Sequence, residues 1–209
     1  LYDVGMSYLG QRILAQAVNA RPHLAAERVY APAQDAAEIL REHNTPLATL
    51  EGDIPLGQVD AVAFSLTHEL CYTNVLYMLD LAGIPLRAAD RVEGKWPLIL
   101  AGGGACFNAE PLAPFVDAMV LGDGAEALPA ILEVVADARE AGLSRAELLR
   151  RLIAIPGVYV PEFFEPRPDG VLAPLMPGHE RVEKAILADL TGAPFPELHP
   201  VSSGQAVHD

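Results

Sequence analysis

Leu98-Ile99-Leu100-Ala101-Gly102-Gly103-Gly104 is the stretch on which the fold turns. Four apolar residues in succession, with no polar alternation, mark a strand buried on both faces, as in a sheet sandwiched between helices. The three glycines end it abruptly. Upstream, Asp60-Ala61-Val62-Ala63-Phe64-Ser65-Leu66 has the same texture, and Leu70 to Ala82 follows as a helix closed by Gly83 and Pro85. Downstream, Ala118-Met119-Val120-Leu121 is a third apolar strand, and Ala125 to Ala141 and Arg145 to Ala154 follow as helices. Short apolar strands alternating with helices predict βαβ units. The expected class is α/β, a doubly wound, mostly parallel sheet.

Before the first strand, Ser7 to Asn19 sets Leu9, Ile13, Leu14 and Val18 on one helical face, with Ser7 as its cap. Glu27 to Ala31 is short and β-like, and Ala33 to Glu42 is helical again. After Ile155 the texture changes. Nine of the 18 prolines fall between Pro156 and Pro200, and helical periodicity survives only around Glu183 to Leu190. Val158-Tyr159-Val160 and Val171-Leu172-Ala173, flanking Pro168-Asp169-Gly170, predict a hairpin. Proline cannot donate in a central ladder, so this region is expected at an edge or in a linker. The division expected is an α/β domain over residues 1–155 and a Pro-rich extension and linker over 156–209.

The chain carries 14 Lys and Arg against 28 Asp and Glu, a formal charge of −14. An acidic surface repels phosphate backbones and anionic head groups, which disfavours binding nucleic acid or membrane through bulk charge. No run approaches the ~20 apolar residues of a membrane span. Two cysteines, Cys71 and Cys106, make no disulfide framework, and a reducing cytoplasm is the expected setting. With no Cys-x-x-Cys and no paired histidines, neither a zinc site nor an iron–sulfur cluster is encoded. The opening Leu1 reads as the start of a piece of something longer.

In an open parallel sheet, ligands bind beyond the carboxyl ends of the strands. The unusual residues of this chain fall there. They are Ser65, Leu66, Thr67 and His68 after the first strand, Gly102, Gly103 and Gly104 after the second, and Gly122, Asp123 and Gly124 after the third. Glycines remove the Cβ atoms that would hold a ligand off the backbone; tight turns before helices are the competing explanation. Asp123 is read as the cap of the following helix, Cys71 as a core residue and Cys106 as a structural thiol in the glycine loop. Gly-x-Gly-x-x-Gly is not met, since Phe107 stands where the third glycine belongs. A Walker loop and a Gly-x-Ser-x-Gly elbow are absent as well.

Several stretches carry a resemblance. They include Leu1-Tyr2-Asp3-Val4-Gly5-Met6-Ser7-Tyr8-Leu9-Gly10, Ala26 to Pro32, Phe64-Ser65-Leu66 and Tyr72 to Leu76. Asp80 to Arg87, Asn108-Ala109-Glu110-Pro111-Leu112, Gly122-Asp123-Gly124-Ala125-Glu126 and the ending Val207-His208-Asp209 complete the set. Together they resemble radical S-adenosylmethionine (SAM) proteins with an N-terminal cobalamin-binding-type domain, a bacterial subgroup of undefined activity.

The resemblance implies a flavodoxin-like domain that packs over its own radical SAM barrel, with a cobalamin pocket at the strand ends. Ser65-Leu66-Thr67 and Gly102-Gly103 match the positions that line the nucleotide-tail cleft. The cluster motif Cys-x-x-x-Cys-x-x-Cys, the [4Fe–4S] cluster and S-adenosylmethionine are expected on the part beyond Asp209, so no catalytic residue is assigned here. One departure stands out. The Asp-x-His-x-x-Gly motif that supplies an axial histidine is missing, with Gly5 and Tyr8 in the His and Gly places after Asp3. Two other readings stand beside this one. The chain is a non-catalytic Rossmann-like module that recognises a substrate or a partner, or it is a free-standing flavin-phosphate binder, for which Gly5-Met6-Ser7-Tyr8 is a poor phosphate loop.

Overall fold

The structure is a computed structural model that describes residues 5–93, 96–189, 191 and 195–196. Asp3 and Val207-His208-Asp209 lie outside the described residues. Three parallel strands, β1 (Ala61–Ser65), β2 (Leu98–Gly102) and β3 (Ala118–Val120), are joined by an antiparallel fourth, β4 (Val158–Tyr159). They lie in the order β1-β2-β3-β4. Among the described residues the α-helices named here are α1 (Leu9–Asn19), α2 (Gln34–Glu42), α3 (Tyr72–Leu81), α4 (Gly124–Glu140) and α5 (Arg145–Leu152).

The period of two along each strand sorts its side chains between two cores. Val62, Phe64, Ile99, Ala101, Met119 and Tyr159 face one side, where Val75, Met78 and Leu79 of α3 and Ala37 of α2 cover them. Leu98, Leu100, Ala118, Val120 and Val158 face the other, under Ile131 and Val135 of α4 and Leu149 and Leu152 of α5. Central β2 is buried on both faces, as its unbroken apolar run requires. Each such fully buried Leu or Ile contributes roughly 2 kcal/mol.

The expectation of a doubly wound, flavodoxin-like sheet is met in part. Helices cover both faces, but the strand order never reverses, because the chain returns from α5 antiparallel instead of crossing back to a new parallel strand. Val158–Tyr159, expected in a hairpin, supplies that returning strand. The antiparallel ladder around Pro168-Asp169-Gly170 instead pairs β5 (Phe164–Pro166) with β6 (Leu172–Pro174). Glu27–Ala31 forms no ladder, and within the described residues Glu183–Asp189 is not helical. Helix α1 begins at Leu9 with Tyr8, rather than Ser7, at its N-cap position.

At the amino ends of the parallel strands lies a buried ionic knot. Arg91 is 0% exposed. It donates to the carbonyls of Pro85 (2.6 Å), Leu86 (2.8 Å) and Phe115 (2.9 Å), and meets the Asp117 carboxylate at 3.4 Å. The same carboxylate accepts the Ile99 N–H at 2.6 Å and pairs with Arg145, the first residue of α5, at 2.6 Å. One side chain thus joins β2, β3, α5 and the loop before β2.

Candidate functional site

The site is built at the opposite, carboxyl ends of the strands. The connection leaving β2 runs over the α3 face, through Ala105, Leu112 and Val116, while the connection leaving β3 is α4 on the other face. The predicted residues lie on the segments that leave these strand ends.

Ser65 ends β1 in register with Gly102, and the Leu66 N–H donates to the Gly102 carbonyl at 2.7 Å. Leu66 is buried, while Thr67, His68 and Gly104 are exposed. Gly103 has φ +109°, and a Cβ there would press into the Leu66 carbonyl and lie 3.1 Å from its nitrogen. That glycine clears room for the neighbouring turn of the chain. It does not clear room for a ligand.

Gly122 serves in the same way. It also has φ +109°, and a Cβ would press into the Ala185 carbonyl and come 2.8 Å from the Ala185 nitrogen. The segment around Ala185 is seated on the end of β3 through a parallel bridge to Gly122. The Ala185 N–H donates to Leu121 (2.7 Å), and the Asp123 N–H donates to Ala185 (3.0 Å). Asp123 occupies the N-cap position of α4, yet its carboxylate makes no cap bond and accepts the Leu187 N–H at 2.8 Å. The expected cap is a clamp on this strap instead. Gly124 opens α4, and a Cβ there would come 3.1 Å from Leu14 of α1.

Four features of this end had no signal in composition or spacing. The strap is one of them. Another is a brace in which the half-buried Glu110 accepts the Tyr159 hydroxyl at 2.5 Å. Burial, reinforced by that carboxylate, raises the Tyr159 pKa and keeps the phenol protonated. The third is the Tyr72 hydroxyl, which reaches the carbonyls of Ala105 (2.8 Å) and Asn108 (2.7 Å) and ties α3 to the loop after β2. The last is a set of exposed large apolar residues: Leu70 (84% exposed), Phe107 (63%) and Ile186 (67%). Their exposure depends on which neighbours arrive, and no periodicity encodes that.

Cys106 is buried, and loss of water around it pushes the thiol pKa up to about 11. At pH 7.5 fewer than about one thiol in a thousand is then ionised, and the thiolate is the reactive form. Iodoacetamide is therefore expected to label the half-buried Cys71 well before Cys106 in the folded protein, read by peptide mass spectrometry. Equal labelling rates would contradict the burial. Among the described residues no group of three or more His, Cys, Asp and Glu is placed to hold a metal ion, and no helix is long and apolar enough to cross a membrane.

The chain matches the family described as radical SAM proteins, N-terminal, over residues 10–161. No curated protein and no solved structure matches the chain.

Proposed function

The chain belongs to the radical SAM protein family, to its N-terminal region, and on that premise we propose that it is the accessory, non-catalytic module of a radical SAM enzyme. The [4Fe–4S] cluster and S-adenosylmethionine, which supply reductive cleavage chemistry, are held by the rest of that protein. A reducing, cytoplasmic setting belongs to the same proposal. The single observation that carries it is the family match over most of the α/β fold.

Cobalamin is the finer question. The corrin reading counts on glycines kept bare for a large flat ligand at Ser65–His68, Gly102–Gly104 and Gly122–Gly124. Gly103 and Gly122 instead meet the backbone of Leu66 and Ala185, and no Asp-x-His-x-x-Gly offers an axial ligand. These residues fit a corrin poorly. They favour a module that binds none, and what they leave open is a shelf at Thr67, His68 and Gly104.

The test uses the full-length protein carrying this module, purified without oxygen and reconstituted with iron and sulfide. Reduced protein is expected to convert S-adenosylmethionine to 5′-deoxyadenosine, and incubation with hydroxocobalamin followed by desalting is expected to leave no corrin absorbance. A protein without cluster and without cleavage would overturn the radical SAM assignment. Retained corrin would overturn the second part alone.

A further inference from the structure

We propose that His179 is a pH-sensitive latch: when it takes up a proton below neutral pH, the segment that carries the strap is unseated and the carboxyl end of β3 is freed. The segment runs from Pro174, the last residue of β6, to Leu187. Among residues 174–189, all of them described, His179 is the one buried residue, at 7% exposure. Met176, Val182, Ala185 and Leu187 are half-buried, and the rest are exposed. The grip of this segment on the fold is thus centred on an ionisable side chain. The latch depends on no cofactor and stands apart from the radical SAM reading.

A tight turn delivers the imidazole to its place. Gly178 has φ +82°, and its N–H donates to the Glu180 carboxylate at 2.8 Å. The His179 N–H donates to the Met176 carbonyl at 3.1 Å. The imidazole then packs on Phe164 of β5, with ring centroids 5.5 Å apart, and Phe164 packs in turn on Tyr159 of β4 at 5.1 Å. Six residues further on, Ala185 makes the parallel bridge to Gly122 at the end of β3.

The chemistry of the ring sets the direction of the switch. Nε2 of His179 is buried and has no hydrogen-bond partner. In the neutral ring with its proton on Nδ1, that nitrogen is a bare acceptor. In imidazolium both nitrogens are donors, so protonation leaves a buried N–H and its charge unpaired. Burial therefore holds the seated ring below the ordinary histidine pKa, and the neighbouring Glu180 carboxylate opposes this only in part. Other acidic groups on the elements packed against the ring are turned to other uses. Glu162 and Glu165, either side of Phe164, are exposed, and Glu110 accepts the Tyr159 hydroxyl. Arg181, Glu183 and Lys184 on the segment itself are exposed as well. A histidine whose pKa is lowered by seating holds fully above its unseated value of about 6.5 and loosens as the pH falls through it.

The latch is tested by backbone hydrogen exchange of the full-length protein from pH 7.5 to 5.5, read by mass spectrometry and corrected for the intrinsic pH dependence of exchange. That window lies above the ordinary carboxylate range. Peptides covering Ala185 and Leu187 are expected to lose roughly five- to tenfold in protection, while those covering Leu98–Gly102 keep theirs. His179→Phe, which fills the site with a ring that does not titrate, is expected to hold the segment equally well across the window. His179→Gln, polar but uncharged, is expected to leave it loose at both ends of the window, again without pH dependence. Constant protection in the parent protein would overturn the latch. The same fall in either variant would overturn it by assigning the titration to another group. An equal fall over Leu98–Gly102 would also overturn it, since the whole fold rather than this segment would then be loosening.

Discussion

Asp117→Ala is expected to lower the free energy of unfolding by about 3–5 kcal/mol, because it removes the buried carboxylate paired with the fully buried charge of Arg91. The same change leaves the Ile99 N–H without its 2.6 Å acceptor and frees Arg145 at the start of α5. For a chain of this size each kcal/mol shifts Tm by roughly 2–4 °C, so a fall on the order of 10 °C follows. Against a typical total of 5–15 kcal/mol, that is a large share of the stability. Asp117→Asn keeps an oxygen for the Ile99 N–H but loses the charge, and its loss is expected to be smaller. Urea denaturation of the three proteins checks the order. An Asp117→Ala protein within about 1 kcal/mol of the parent would mean that the knot contributes little.

Gly103→Ala is the second large effect, and Gly104→Ala is its control. At φ +109° and ψ 176°, Gly103 occupies backbone space essentially restricted to glycine, which costs an L-residue about 1–3 kcal/mol. The new methyl would also be driven into the Leu66 carbonyl. Leu66 cannot retreat, because its N–H is bonded to Gly102 and its carbonyl accepts the Ala105 N–H at 3.2 Å. A total loss of about 3 kcal/mol or more is expected. One residue further on, a Cβ at Gly104 has the Thr67 carbonyl at 3.6 Å, an ordinary contact. Gly104→Ala is expected to change stability by less than about 0.5 kcal/mol, as surface substitutions usually do. Equal losses in the two variants, by thermal or urea unfolding, would show that the glycines serve one common purpose and would revive the ligand-floor interpretation.

The contrast between these neighbours bears on function. Three glycines in a row read as one feature, a bare floor beneath a ligand. In three dimensions they separate: Gly102 is a ladder residue paired with Ser65, Gly103 is a packing necessity, and Gly104 alone is open. Gly122 repeats the role of Gly103 against the strap. A glycine-rich strand end is thus compatible with a face closed by the protein's own backbone.

Local residue pattern by itself determined the α/β class, the three parallel strands and, to within a few residues, helices α1 to α5, while its helical period around Glu183 came to nothing over the described residues. The reason is physical: burial on both faces demands an unbroken apolar run, as at Leu98–Ala101, and a helix needs its own period and terminators. The same pattern placed Ser65–His68, Gly102–Gly104 and Gly122–Gly124 together at the strand ends, since parallel strands put all their carboxyl ends on one side. Tertiary structure alone decided what those residues touch. The pairing of Val158–Tyr159 with β3, the seating of Ala185 on Gly122, the diversion of the Asp123 carboxylate from helix cap to clamp, and the meeting of Arg91, Asp117 and Arg145 all join residues distant in the chain. Nothing in a local window records such a partner, because the free energy of each contact resides in the pair.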